Sequence, residues 1–320
     1  MIQVRHLSKR FGATVAVRDV SFDVPRGEVL GFLGPNGAGK TTTMRVLTGY
    51  IPPTEGSASV AGHDLLEDSL EVRRRVGYLP ESAPLYGDME TVDFLRFVAD
   101  LRGVPPAEME RRIDRMVKVC GLEKVVGRVI HHLSKGYRQR VGLAQAMIHD
   151  PDILILDEPT SGLDPNQIIE IRELIRELGR EKTVILSTHI LPEVQATCTR
   201  VVVINEGRLV ANGPLREILA KHNENAFELL LQPGSGPLDA AEHEALAAAA
   251  REKLAEIPSV TAVAELDGRA PEALSLVVTA RDDEDPRREI FGCARDNGWA
   301  LLGLHRRRIG LEEAFRRLTR

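Results

Sequence analysis

A glycine-rich stretch near the start of the chain has the residue types and spacing needed to hold the phosphates of a nucleotide. Residues 34–41 read Gly-Pro-Asn-Gly-Ala-Gly-Lys-Thr and fit the pattern G-x-x-x-x-G-K-[ST]. Glycines allow a tight loop whose backbone N–H groups point into one concavity. Lys40 adds positive charge against the β- and γ-phosphates, and the Thr41 hydroxyl can serve Mg²⁺. The predicted phosphate-binding residues are Gly34, Pro35, Asn36, Gly37, Ala38, Gly39, Lys40, Thr41 and Thr42.

A second motif places two acids where they could handle a metal ion and a water molecule. Residues 153–156 are apolar and read as a buried strand, which ends in Asp157 and Glu158. Buried strands tolerate carboxylates poorly, whereas the carboxyl edge of a parallel sheet is where α/β proteins bind ligands. The pattern therefore predicts that Asp157 holds Mg²⁺, directly or through water. It predicts that Glu158 orients and activates the attacking water.

Strands and helices must bring these groups to one edge of a sheet. Residues 27–33 form an apolar run of strand type directly before the loop, and residues 42–47 read as a helix start. The dipole of that helix favours an anion at its N-terminus. Strand-like and helix-like segments alternate up to about Lys221, as in α/β domains. A charged, leucine-rich block over residues 91–126 interrupts them and predicts an inserted helical subdomain, about 82–150.

The pattern changes beyond a proline- and glycine-rich stretch at residues 232–237, which has the composition of a linker or loop. The predicted order there is strand, helix, strand, strand, helix, strand and a last helix: residues 227–231, 239–257, 260–266, 274–280, 286–297, 299–305 and 311–318. The first six elements follow the ferredoxin-like order. We predict an α/β cassette over residues 1–221 and a small α+β domain over residues 222–320.

Composition and charge narrow the class of protein. The 320 residues, 43% of them hydrophobic, suffice for two domains with sizeable cores. The formal net charge of −5 does not favour nucleic-acid binding. No apolar run approaches the length that spans a bilayer, and the N-terminus lacks a signal-peptide pattern. Cys120, Cys198 and Cys293 are scattered, which fits ordinary packing in a reducing cytoplasm. If the protein acts at a membrane, another chain must supply the membrane part.

A short segment between the two motifs carries a family resemblance. Residues 133–137 read Leu-Ser-Lys-Gly-Tyr and resemble the L-S-G-G-Q signature of the ATP-binding subunits of ATP-binding cassette (ABC) transporters. The segment departs from that signature at Lys135 and Tyr137. Its position between the phosphate loop and the acidic strand is the one that the family uses. The resemblance covers roughly residues 2–221.

Further family motifs follow in order. Residues 161–164, Ser-Gly-Leu-Asp, resemble the D-loop and include Asp164. His189, after a second apolar strand, resembles the switch histidine. Phe11 stands where the family places an aromatic ring against adenine, and Glu81 stands where most members have the Q-loop glutamine. Each of these residues alone is more often an ordinary core or surface group. The ordered set favours the family interpretation.

The resemblance implies a P-loop NTPase cassette that binds ATP with Mg²⁺ and hydrolyses it. A glutamate at the Q-loop position adds negative charge near the metal, which could weaken ATP binding or shift metal preference. The implied catalytic residues are Glu158, His189 and Lys40, and the implied metal-binding residues are Thr41, Glu81 and Asp157.

The resemblance also implies partners. Ser134 and Gly136 would contact the γ-phosphate bound to the opposite subunit, so two copies arranged head to tail would complete two sites as a homodimer. The Leu-Pro-Glu and Leu-Ser-Lys-Gly-Tyr segments resemble the ABC-2 export type. That type implies a separate integral-membrane permease as partner, an ATPase bound at the cytoplasmic face of the cell membrane, and no nucleic-acid ligand. Residues 86–101 would transmit closure of the dimer to the permease.

Several alternatives remain open at the level of sequence. A soluble ABC-type ATPase that acts on ribosomes or DNA is the second functional reading, although a single cassette, a short gap between motifs and an acidic chain disfavour it. A P-loop kinase would leave the signature, the D-loop and His189 unexplained. Lys135 could contact phosphate across the dimer or face solvent. The C-terminal domain could regulate, dimerise, contact the permease or serve as an appendage without a ligand. Three further histidines are read as ordinary core or surface groups and two arginine runs as solvated faces: His131, His132, His149, 73–75 and 306–308.

Overall fold

The chain folds into two units in the computed structural model, which describes residues 1–222, 225–233, 240–266, 273–281, 284–307 and 311–318. The first unit spans Met1–Leu215 and the second spans Arg216–Arg317. Their division lies a few residues before Lys221, at the start of a helix that begins at Leu215. Each unit is described separately below.

The first unit combines long N-terminal strands with an alternating α/β pattern. Its strands are β1 (Ile2–Phe11), β2 (Thr14–Val24), β3 (Val29–Leu33), β4 (Glu55–Val60), β5 (His63–Asp64), β6 (Val76–Leu79), β7 (Ile153–Asp157), β8 (Thr183–Thr188), β9 (Arg200–Asn205) and β10 (Arg208–Pro214). Its helices are α1 (Lys40–Leu47), α2 (Ser69–Arg75), α3 (Thr91–Leu101), α4 (Pro106–Val119), α5 (Lys135–Met147), α6 (Pro165–Leu178) and α7 (Leu191–Thr197), with a 3₁₀ turn at Ile130–His132.

A six-stranded sheet carries the motifs. Its order is β10–β9–β3–β8–β7–β6, and all neighbours pair in parallel except β10 with β9. Every residue of β3, β7 and β8 is buried, as expected for strands covered on both faces. Leu33 pairs with Thr188, and Asp157 pairs with Ser187, so these three strands end at the same edge. The chain segments that follow them therefore meet there.

A second, antiparallel sheet packs against α1. Its order is β2–β1–β4–β5. Its apolar residues share one core with β3, β7, β8, β9 and α1, in which the rings of Phe22 and Phe32 lie 5.7 Å apart. The sequence predicts alternating elements here, but β1 and β2 form a long hairpin instead. Pairing between distant strands, such as β1 with β4, is not visible in a local sequence pattern.

Helices α3, α4 and α5 lie between β6 and β7 along the chain, where the sequence predicts the inserted helical subdomain. Phe94 and Leu95 of α3 and Ile113 and Met116 of α4 are buried, as their helical spacing predicts. Packing of these apolar faces orients α5, whose N-terminus carries the signature segment.

The second unit has the predicted ferredoxin-like order. Its elements are α8 (Leu215–His222), β11 (Ala226–Pro233), α9 (Ala240–Ala255), β12 (Val260–Glu265), β13 (Leu274–Ala280), α10 (Arg287–Asp296), β14 (Trp299–Arg306) and α11 (Leu311–Leu318). The antiparallel sheet order is β12–β13–β11–β14. Residues from α9 and α10, including Leu246, Ala250, Leu254 and Ile290, form a core with this sheet.

Some expectations fall on residues outside the described ranges. These are residues 234–237 of the predicted linker, Asp239 at the start of the predicted helix, and Arg308 of the second arginine run. The first run, residues 73–75, is exposed as predicted. Within the described ranges, none of the helices combines the length and apolar character that a membrane crossing requires.

Candidate nucleotide-binding and catalytic site

The loop between β3 and α1 forms one wall of a cleft of about 520 Å³. Gly39 caps α1 with φ 102°, a conformation that residues with a side chain rarely adopt. A Cβ at Gly34 or Gly39 would also collide with a backbone oxygen, that of Ile204 or Ala16 respectively. The backbone of the loop is thus packed closely against its surroundings, and glycine is required at both positions.

Lys40 is buried at the base of this loop. Its Nζ donates hydrogen bonds to the carbonyl oxygens of Gly34 at 2.9 Å and Pro35 at 3.2 Å. The same atom lies 3.4 Å from Oε1 of Glu158. The ammonium group is therefore held inside the curve of the loop, next to the carboxylate that follows β7, as the sequence predicts for a phosphate-binding lysine.

Asp157 ends β7 and is fully buried. Its Oδ1 accepts a hydrogen bond from Ser187 Oγ at 2.7 Å, whereas Oδ2 has no hydrogen-bond partner within the described part of the chain. Burial raises the pKa of this carboxyl, and the nearby hydroxyls of Ser187 and Thr41 oppose the rise. The charges of Glu158 and Glu81 raise the pKa further. The predicted metal-binding residues are therefore close neighbours.

These donors fit a hard divalent cation. The free oxygen of Asp157 is buried, and the hydroxyl of Thr41 and the carboxylate of Glu81 lie close enough to influence the Asp157 pKa. An all-oxygen set that includes carboxylates is what Mg²⁺ prefers, and a cation would offset the cost of burying the unpaired carboxylate oxygen.

Glu158 and His189 form the chemical centre of the cleft. Nδ1 of His189 lies 2.9 Å from Oε2 and 3.0 Å from Oε1 of Glu158. Glu158 is 6% exposed, whereas the His189 side chain is 45% exposed and reaches into the cleft. With Lys40 on its other side, the Glu158 carboxylate lies between a cation and an imidazole. Such a carboxylate can accept a proton from water that enters the cleft.

The signature segment does not line this cleft in the single chain. Ser134 caps α5, and its Oγ accepts a hydrogen bond from the backbone N–H of Tyr137 at 3.4 Å. Gly136 is buried against the side chain of Gln167, where a Cβ would come within 2.6 Å of that side chain. The described residues that line the cleft include Ser161 of the D-loop segment but neither Ser134 nor Gly136.

The other predicted ligand contacts have structural partners of their own. Asp164 caps α6, since its Oδ1 accepts hydrogen bonds from Asn166 N at 3.1 Å and Gln167 N at 3.0 Å. Phe11 is 51% exposed at the end of β1, with Lys9 Nζ 5.2 Å from its ring centroid. The ring is thus partly exposed with a lysine amine over one face, and it lies outside the cleft lining.

The side chain of Lys135 is exposed, as one of the two sequence readings expects. Its amine lies against Gly162 in the D-loop segment, where a Cβ would collide with it. The lysine thus bridges the start of α5 and the loop before α6 within one chain.

Sequence reasoning missed two contacts in the site. The hydrogen bond from Ser187 to Asp157 and the contact between His189 and Glu158 both depend on β7 and β8 being neighbours. A polar serine near the end of an otherwise apolar strand was the available signal for the first. Nothing in the local pattern around His189 indicates the second.

Comparisons with known proteins identify the family of this chain. Residues 17–161 match the family described as ABC transporter. The ABC transporter ATP-binding protein NatA of Bacillus subtilis is 40% identical over 224 residues, which are 68% of this chain and 91% of NatA. This chain belongs to the ABC transporter ATP-binding family. Another relative, the bacitracin transport ATP-binding protein BcrA of Bacillus licheniformis, is 36% identical over 72% of this chain and 75% of its own length.

Solved structures show the same cassette. An ATP-binding subunit of an ABC transporter is 34% identical, with a TM-score of 0.63 over 69% of this chain and 92% of that subunit. The dimeric ATP-binding cassette MJ0796, bound to ADP and Pi, shares the fold at 24% identity, with a TM-score of 0.62 over 68% of this chain and 99% of its own. The predicted cassette fold is confirmed. The chain is an ABC ATPase subunit, which binds and hydrolyses ATP.

Proposed function

We propose that this ABC ATPase powers export by a separate integral-membrane permease of the ABC-2 type, at the cytoplasmic face of the cell membrane. BcrA is named for bacitracin transport. A Nod factor export ATP-binding protein of Cupriavidus pinatubonensis is 38% identical over 68% of this chain and 68% of its own length. These names, together with the Leu-Pro-Glu and Leu-Ser-Lys-Gly-Tyr segments, support the export type. The relatives named here give no support to action on ribosomes or DNA.

One observation carries the catalytic part of the proposal: the Glu158 carboxylate lies 3.4 Å from Lys40 Nζ and 2.9 Å from His189 Nδ1, beside the phosphate-binding loop. Loop N–H groups and Lys40 bind the β- and γ-phosphates. Glu158 accepts a proton from the water that attacks the γ-phosphorus in line, while the bond from that phosphorus to the β–γ bridging oxygen breaks and ADP leaves. His189 holds the Glu158 carboxylate in place and adds a polar contact near the γ-phosphate.

Magnesium is the proposed metal, and Thr41, Asp157 and Glu81 would hold it. Bound there, Mg²⁺ would neutralise charge on the phosphate oxygens. The Glu81→Ala variant tests the unusual member of this set. We expect its ATPase activity to require a higher Mg²⁺ concentration for half-maximal rate, because one carboxylate ligand or its bound water is lost. An unchanged Mg²⁺ titration would remove Glu81 from the site.

A second copy of the chain is the proposed partner in catalysis. Ser134 and Gly136 lie outside the cleft that holds the phosphate loop of their own chain. A head-to-tail pair would bring them to the nucleotide of the opposite copy, and a two-fold arrangement closes without leaving free ends. ATP would then favour the closed pair, and hydrolysis would remove the contacts that favour closure. The exposed Tyr86, packed against Phe94 and Phe97 of α3, belongs to the surface that would transmit closure to the permease.

The Glu158→Gln variant tests the catalytic role. Glutamine keeps the size of the side chain but cannot act as a base at neutral pH, so we expect phosphate release to fall by about 10²–10⁴-fold. ATP binding, followed with a fluorescent analogue, should persist, and light scattering should show an ATP-dependent dimer. Glu181→Gln, which alters an exposed carboxylate, is the matched control. Wild-type hydrolysis by Glu158→Gln would refute the assignment.

The export proposal needs a separate test. The chain should co-purify with a membrane protein of about six spans, the size expected of a permease half. ATP hydrolysis should respond to that protein after reconstitution in vesicles. Hydrolysis that responds instead to ribosomes or DNA would favour the alternative function.

A further inference from the structure

Glu193 is a buried carboxylate that the proposed mechanism does not use. It is 1% exposed and lies in the first turn of α7. Its Oε1 accepts a hydrogen bond from Thr160 Oγ1, and its Oε2 accepts one from Thr188 Oγ1 at 2.8 Å. Nη2 of Arg172, from α6, lies 3.8 Å from Oε1. Burying a carboxylate is costly unless hydrogen bonds and nearby cations compensate for the lost water. The Glu193 side chain is therefore held in this position by its three partners.

One of these partners, Thr188, stabilises the backbone turn around His189. Thr188 Oγ1 accepts a hydrogen bond from the backbone N–H of Ile190 at 3.0 Å while it donates to Glu193. The hydroxyl therefore links the residues on both sides of His189. Because Glu193 determines the direction of the hydroxyl proton, it also stabilises this turn. The imidazole projects from the middle of the turn toward Glu158.

The other hydroxyl partner, Thr160, stabilises the backbone turn that follows Glu158. Glu158 has φ 49°, in the left-handed region that non-glycine residues seldom adopt. Such a conformation is strained and persists only where surrounding contacts hold it. The N–H of Ser161 donates to Glu158 O at 3.0 Å, and the buried Thr160 between them donates its hydroxyl to Glu193. A hydrogen bond from Thr160 to Glu193 therefore links the turn that carries Glu158 to α7.

We propose that Glu193 is a positioning residue that maintains the contact between Glu158 and His189. One of its carboxylate oxygens holds the loop after β7, which carries Glu158, and the other holds the loop after β8, which carries His189. These two segments are called the catalytic loops below. The inference rests on the proposed catalytic roles of those two residues. Glutamine at this position could accept a hydrogen bond from one hydroxyl only, and its amide group would turn a donor toward the other. Alanine would leave both hydroxyls without their acceptor.

The test compares Glu193→Gln and Glu193→Ala with a control in the same helix. Thr197→Val removes a buried hydroxyl that donates to the Glu193 backbone carbonyl at 2.6 Å, without touching either catalytic loop. We expect kcat to fall by about 10- to 100-fold in Glu193→Ala, since misplacement of catalytic groups by an ångström has effects of that size. The kcat of Glu193→Gln should fall by a smaller factor. KM for ATP should stay near wild type in both, because the phosphate loop is unchanged.

A double-mutant cycle separates positioning from general destabilisation. In a His189→Ala background, the Glu193→Gln substitution should lower kcat by a much smaller factor than in the wild type, because the contact it maintains is already absent. Factors that multiply in full would overturn the inference. So would a folded Glu193→Ala variant with wild-type kcat, or a loss of kcat in Thr197→Val equal to that in Glu193→Gln. If Glu193→Ala does not fold, Glu193→Gln and the cycle decide the question.

The Glu158→Gln variant separates failure of the proposed catalytic roles from failure of the positioning role. If Glu158→Gln hydrolyses ATP normally, the proposed catalytic roles fail. If it is inactive while both Glu193 variants retain wild-type kcat, only the positioning role fails.

Discussion

Lowering the pH from 7 to 5 should destabilise the first unit through His149. This half-buried ring follows α5, and its Nε2 lies 3.3 Å from the carbonyl oxygen of Val76. Its Nδ1 is buried and has no hydrogen-bond partner within the described residues. Burial lowers the pKa of His149 from 6.5 to about 4, and the charges of Arg102, Lys182 and Arg112 act in the same direction. Protonation would place a further cation among these groups.

The size and the sign of the expected change in stability follow from the pKa of His149. In the unfolded chain the ring has the ordinary pKa of about 6.5, so the unfolded state takes up the proton first as the pH falls. The stabilising contribution is complete above about pH 6.5 and is lost as the pH falls toward the folded-state pKa of about 4. At 1.36 kcal/mol per pKa unit, the whole contribution is about 3 kcal/mol, of which about 2 kcal/mol disappears between pH 7 and pH 5.

Hydrogen exchange can measure this loss in the first unit alone. Amide protection of β7, corrected for the intrinsic exchange rate at each pH, reports the free energy of opening. Wild type should lose about 2 kcal/mol more than His149→Phe between pH 7 and pH 5, because phenylalanine cannot titrate. His132→Gln, which alters an exposed ring, is the matched control. Trp299, the single tryptophan, lies in the second unit, so its fluorescence monitors that unit independently.

Equal losses in wild type and His149→Phe would refute this reasoning. They would mean that water or a neighbouring group stabilises the protonated ring in the folded chain, so that the pKa of His149 is not lowered by folding. A difference that also appears in the Trp299 signal would place the effect outside the first unit.

Two further predictions concern the nucleotide site. Gly39→Ala should weaken ATP affinity by at least ~10-fold in a fluorescent-analogue titration, because its φ of 102° and the collision with the Ala16 oxygen distort the loop. Gly37→Ala, whose φ of 79° is also left-handed but whose Cβ would meet open space, should have a smaller effect; equal losses would show that the collision is unimportant. Lys135→Gly should keep kcat and KM for ATP within about twofold of wild type in a phosphate-release assay, since the lysine is exposed. A large rise in KM would instead indicate a phosphate contact across the dimer.

The sequence alone predicts much of the candidate site because its motifs are local. Gly39, Lys40 and Thr41 lie within one strand–loop–helix unit, whose geometry follows from residue type and spacing. Asp157 and Glu158 lie at the end of an apolar strand, which predicts their place at the edge of a parallel sheet. The ferredoxin-like order of the second unit was also predictable, since each element has its own periodicity.

Tertiary structure decided which of these groups touch. The 2.9 Å contact between His189 and Glu158 and the hydrogen bond from Ser187 to Asp157 require β8 to pair with β7 in one particular register. The convergence of two loops on Glu193 further requires α7 to pack beside them.

The amino-acid sequence by itself determined the candidate chemistry of this protein: a glycine-rich loop of phosphate-binding type, a candidate metal-binding acid, a candidate base and a signature segment. Their residue types and their order along the chain are enough for that. Only the tertiary structure decided that Glu158 lies between Lys40 and His189 while Ser134 lies outside the same cleft. Side-chain contacts between distant segments depend on strand order and helix packing, which come from burial of the whole core rather than from any local pattern.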